Sequence, residues 1–235
     1  EFPFASIEAV DGSLPLGVTL KAFSPHIPGD AEQSALPCAF FEVSLTNPAD
    51  AAVSAQVLFS WENIINVGGS MQVTNQGERL LPLCYHTWNA AYVWSERRQN
   101  RARPLFGSGQ GILFDAAHDC RNPASFGEHL IWTDDADALC LPDRDIIADE
   151  YAFSRWFEAG CPGEFTTAGN SAAGNSAAGN SEAGNSEFRA GALIVRRDLK
   201  PHETATVRFV LCWHMPNLPD HQGRNPGVFY ANLFS

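Results

Sequence analysis

Three prolines, Pro25, Pro28 and Pro37, stand directly ahead of a run of alternating apolar and polar residues. Each proline fixes φ and removes a backbone donor, so this connection is excluded from a helix and from the middle of a sheet ladder. A rigid, extended corner is expected. Pro28-Gly29 suits the centre of a type II turn with Gly29 supplying the positive φ, and Asp30 is placed to accept from nearby backbone N–H groups. Beyond Pro37, Phe41, Val43 and Leu45 alternate with Glu42, Ser44 and Thr46, the period of a strand with one buried face. Asn47-Pro48-Ala49-Asp50 stops it. Val53, Ala55, Val57, Phe59 and Trp61 then alternate with Ser54, Gln56 and Ser60, and two antiparallel neighbours are the expected arrangement.

Other stretches follow the same period. Leu16, Val18, Leu20 and Ala22 form a strand ahead of the corner, and short apolar strands are expected at 111–115 and 128–133. Near the end, Ala192 and Ile194 alternate with Leu193 and Val195, Lys200-Pro201-His202-Glu203 turns, and Val207, Phe209, Leu211 and Trp213 alternate again, which reads as a hairpin. In 151–160, Ala152, Trp156 and Phe157 share a helical face with Gly160 as a cap, so one short helix is expected over a sheet. The fold expected is therefore all-β, an antiparallel two-sheet β-sandwich with long loop inserts and one short helix. At 235 residues this fits one domain, 1–235.

The segments FSPHIPGD, SALPCAFFEVSLTNP and VLFSWENIINVGG, and later LKPHETATVRFVLCWHMPN followed by FYANLFS, carry more than periodicity. In this order they resemble the N-terminal domain of bile acid β-glucosidases, the non-lysosomal glucosylceramidases of glycoside hydrolase family 116. The resemblance implies a retaining β-glucosidase as the parent protein, acting on a glucoside or glucosylceramide. It implies that the nucleophile and the acid/base lie in an (α/α)6 barrel downstream, so no catalytic residue transfers to a position here. On this reading the segment is a fragment that scaffolds the C-terminal catalytic domain and borders its glycan cleft. Trp61, Glu62 and Asn63, where a strand gives way to a loop, and Trp88 in the irregular region beyond, are the candidates for that border.

Composition excludes several other classes. A net charge of −12 repels phosphate backbones and anionic membranes, so nucleic acid is not an expected partner. The basic run at 96–103, with Arg97, Arg98, Arg101 and Arg103, is expected to be a solvated loop. No apolar run is long enough to span a bilayer and no N-x-[ST] sequon occurs, so a cytoplasmic location is expected. Six cysteines, scattered and without a C-x-x-C pair, do not make a disulfide framework, and Cys38 and Cys212 lie inside apolar runs as small hydrophobes.

Metal and catalytic signatures are equally sparse. Residues 134–150 hold seven acidic residues and one Arg, yet Asp134, Asp135 and Asp137 lack the glycine and bidentate Glu of a calcium loop. His118, Cys120 and His129 have no zinc spacing. No metal or cofactor is expected. Gly107-Ser108-Gly109-Gln110-Gly111 reads as a turn rather than a phosphate loop. A glycosidase needs two opposed carboxyl groups, for which Asp30, Glu42, Glu62 and Asp149 qualify by residue type alone. Residues 168–187 are a pentapeptide written four times, AGNSA, AGNSA, AGNSE, AGNSE, with nothing but Ala to bury, and are expected to form a mobile loop expansion. Two rival readings stay open. Trp88, Tyr92 and Trp94 would suit sugar stacking in a freestanding carbohydrate-binding module, and a structural interaction domain would bind no sugar.

Overall fold

The computed structural model describes residues 3–63, 98–104, 109–116, 127–162 and 189–216. The strands are β1 (Phe4–Ala9), β2 (Gly17–Phe23), β3 (Cys38–Thr46), β4 (Val53–Glu62), β5 (Arg98–Pro104), β6 (Gln110–Ala116), β7 (Glu128–Thr133), β8 (Leu139–Asp145), β9 (Arg189–Leu199) and β10 (Thr204–His214). Seven of them form one sheet, in the order β1-β2-β3-β10-β7-β6-β5, and three form another, in the order β4-β9-β8. Every pairing is antiparallel. The expected all-β two-sheet sandwich is the fold found.

The proline corner turns as its residues require. Gly29 has φ +84° and Asp30 N donates to Ile27 O at 2.9 Å, closing the turn around Pro28-Gly29. The exclusion of helix from the whole connection needs correction, because α1 (Ala31–Ser34) is a single helical turn. It fits between Pro28 and Pro37, where no proline intervenes, and Asp30 starts it by accepting from Gln33 N at 2.9 Å.

Two expected hairpins are in fact crossings between the sheets. β3 pairs with β2 and β10, whereas β4 pairs with β9, so consecutive strands face one core from opposite sides. Period-2 alternation is satisfied equally by either arrangement, which is why it does not separate them. The corner residue makes the difference. Asn47 is fully buried, and its Nδ2 donates to the carbonyls of Ala51 (2.8 Å), Lys200 (3.0 Å) and Leu199 (3.3 Å). Its Oδ1 accepts from Ala49 N at 3.1 Å. The β9–β10 connection makes the same crossing alongside, held by Asn47 N donating to Glu203 O at 2.9 Å.

Between the sheets lie Ile112, Phe114, Ile131, Val207, Phe209 and Leu211 from the larger and Leu193 and Val195 from the smaller. Phe59 of β4 reaches across to Phe41 and Phe209, its ring centroid 5.0 Å from each. The outer side of the smaller sheet meets α2 (Ile146–Glu158), which begins earlier than expected. Its buried aromatic is Phe153, while Ala152 is exposed, correcting the expected face. Past the helix, Gly160 at φ +82° caps it, Cys161 Sγ donates to Gln56 Oε1 at 2.9 Å, and Arg196 holds the carbonyls of Gly160 and Cys161.

Three strands carry no expectation or a different one. β1 and β8 went unassigned, and the basic run expected as a loop contributes β5 at the sheet edge. The strands at 111–115 and 128–133 stand as expected, in β6 and β7. The pentapeptide repeat, most of the irregular region after Asn63, and Cys84 and Cys120 lie outside the described residues.

Candidate functional site

β4 ends with Ser60, Trp61 and Glu62, followed by Asn63, at the end of the sandwich opposite the Asn47 corner. Trp61 pairs with Gly191 of β9, on the face turned to the larger sheet. Gly191 is the reason the two sheets approach so closely there, since a Cβ on it would stand 2.8 Å from Phe114 Cζ. Into that gap come Phe114 and Ile112, and Trp61 packs half-buried against the same core, stacked on Phe59 at 6.4 Å. Trp213, its counterpart at the end of β10, is also half-buried, as the strand-end position suggested.

The residue that ties this end together is one the sequence reading weighed only as a metal ligand. His129 is 2% exposed and lies flat on Phe114, with ring centroids 4.5 Å apart and planes 12° from parallel. Its Nε2 is 3.1 Å from the Glu62 carbonyl oxygen. A carbonyl only accepts, so Nε2 carries the proton and Nδ1 presents a lone pair. Nδ1 is buried and has no hydrogen-bond partner among the described residues. Burial disfavours the imidazolium and, against a smaller opposing effect of the Glu62 carbonyl, pushes the His129 pKa down to about 4. The ring is thus neutral at neutral pH and sealed from solvent, so it positions the end of β4 rather than exchanging protons with a diffusing substrate. The signal was present in EHLIWT, where His129 shares the buried face of β7 with Ile131 and Thr133.

Asn63 is fully buried and Glu62 is half-buried. Trp61, Glu62 and Asn63 therefore stay together at one end, joined by His129. Trp88, Tyr92 and Trp94 lie outside the described residues.

The carboxylates singled out by type have structural engagements where their side chains are described. Asp30 caps α1, and Glu42 accepts from Arg208 Nε at 3.4 Å. Asp134 meets the same guanidinium at 3.4 Å, and Asp135 pairs with Arg197 and accepts from Asp137 N. Among the described residues, no three His, Cys, Asp or Glu side chains gather as metal ligands, and no helix is long and apolar enough to cross a membrane.

A second surface lies on the outer face of the larger sheet. Lys21, Glu42 and Arg208 form a charged row across β2, β3 and β10, with Lys21 Nζ 4.5 Å from the Phe4 ring centroid. The next row is apolar, running Phe4, Phe23, Phe40, Val210 and Trp132 across five strands. Phe23 stands 5.3 Å from Phe4 and 5.2 Å from Phe40 between ring centroids.

Comparison with known proteins adds one match. A family model described as beta-glucosidase 2, glycosyl-hydrolase family 116 N-term, covers residues 1–235. A comparison with curated proteins finds no match.

Proposed function

The chain belongs to the N-terminal domain family of family 116 glycosyl hydrolases, and on that premise we propose that it is the non-catalytic β-sandwich of a retaining, glucosylceramidase-like β-glucosidase. Residues 1–235 act as one domain that packs against a helical catalytic barrel of the same parent chain and holds loops at the border of its glycan cleft. The observation that carries this reading is the family match, which runs the length of a chain folded as a sandwich. Its inertness rests on chemistry. A retaining glycosidase needs two carboxyl groups about 5 to 5.5 Å apart across the scissile bond, and Asp30 and Glu42 are occupied in a helix cap and an ion pair.

Trp61, Glu62, Asn63 and Trp88 are the proposed border residues. The packing of Trp61 and the burial of Asn63 suit a supporting part for these two, leaving the half-buried Glu62 side chain as the better placed for contact. The test is kinetic. In the parent protein, Glu62→Gln should raise KM for an aryl β-glucoside several-fold with kcat little changed, the pattern of lost binding rather than lost chemistry. An unchanged KM in a normally folded variant would remove Glu62 from the border. Titration of the isolated segment with glucose should give no saturable heat, and saturable binding would favour the carbohydrate-binding module instead.

A further inference from the structure

The apolar half of the larger sheet's outer face holds two thiols that neither the fold nor the proposed function uses. Cys38 opens β3, Cys212 lies near the end of β10, and the two are direct partners in the antiparallel register. Both are free and half-buried. The ladder fixes how they face each other. Trp213 N donates to Pro37 O at 2.9 Å and Asn47 N donates to Glu203 O at 2.9 Å, so odd-numbered residues of β3 occupy the hydrogen-bonded pairs. Cys38 and Cys212 therefore form a non-hydrogen-bonded pair, the kind in which side chains stand closest and Cα atoms approach to about 4.5 Å. That separation falls inside the window of about 4.4 to 6.8 Å that a disulfide spans.

We propose that Cys38 and Cys212 are an oxidisable dithiol, a modification site at which a hydroperoxide converts the pair to a disulfide across β3 and β10. In the first step one thiolate attacks the peroxide oxygen, the O–O bond breaks, and a sulfenic acid and one water result. In the second the partner thiolate attacks the sulfenic sulfur, the S–O bond breaks, and the oxygen leaves as a second water. Two thiols are oxidised and one peroxide is reduced.

The surroundings set the rate. Cys212 pairs with Leu130 on its other side, and the row beside the thiols is Phe40, Val210 and Trp132. Burial, with a smaller contribution from the neighbouring Cys212, pushes Cys38 up to about 11, and burial also raises Cys212. The pair is therefore protonated and slow at neutral pH, and its oxidation accelerates about tenfold per pH unit as the thiolate fraction grows. Once one sulfur is oxidised, the facing thiol is already in place.

The experiment is to oxidise the 235-residue chain with hydrogen peroxide at mildly alkaline pH, alkylate the remaining thiols and map tryptic peptides by mass spectrometry. Arg79 separates Cys38 from Cys84 and Arg208 separates Cys212 from Cys161, so each residue falls in a peptide with no other cysteine. The expected product is these two peptides joined and lighter by two hydrogens, released by dithiothreitol and absent from Cys38→Ser and Cys212→Ser. A monosubstituted trivalent arsenical, which needs two adjacent sulfurs, should protect both residues from alkylation without any variant being made. Recovery of Cys38 and Cys212 separately alkylated or over-oxidised, with no joined peptide and no arsenical protection, would overturn the proposal.

Discussion

His129 Nε2 lies 3.1 Å from the carbonyl oxygen of Glu62, a single hydrogen bond that joins the larger sheet to the end of β4 in the smaller one. Because the ring is buried, its pKa falls from 6.5 to about 4 on folding. The unfolded chain thus binds the proton more readily, and folding stability from this group is fully present above pH 6.5 and is lost as pH falls toward 4. The loss amounts to about 3 kcal/mol over that window. Melting temperature measured against pH should fall across it, and His129→Phe, which keeps a flat ring against Phe114 and cannot titrate, should flatten the slope there. An identical slope in the variant would remove His129 as the cause.

Asn47 is the second residue on which the architecture turns. Its amide meets three carbonyls from two separate corners, and no hydrophobic residue can replace it without leaving those groups buried and unpaired. Asn47→Ala is expected to destabilise the chain by about 2 to 4 kcal/mol. Urea denaturation with far-UV detection measures it, and a loss below about 0.5 kcal/mol, the range of ordinary surface substitutions, would show that the crossings are held by other contacts.

The strands and the end of β4 were legible because alternation is local. Phe41, Val43 and Leu45 show which face is buried, and Pro28-Gly29 shows where the chain turns, without any knowledge of partners. Which sheet each strand joins is not local. β3 finds β10 far along the sequence, and the choice between hairpin and crossing rests on the hydrogen bonds of Asn47, a residue that by type is merely a common turn former. β1 went unread because its residues are exposed on both faces and carry no clean period. At the candidate site, Trp61, Glu62 and Asn63 were visible as a strand end, whereas the His129 contact required β7 and β4 to be set against each other through the core. The facing of Cys38 and Cys212 stayed hidden for the same reason, since it is a matter of register between strands distant in sequence.

The central claim is that this sandwich is an inert accessory to a catalytic domain of the same parent chain. Assay of the purified 235-residue chain and of the full parent protein, side by side on an aryl β-glucoside and on glucosylceramide, tests it most directly. The account predicts hydrolysis by the parent with retention of anomeric configuration, and none by the segment. Hydrolysis by the segment itself, abolished by changing one of its own carboxylates, would contradict the account.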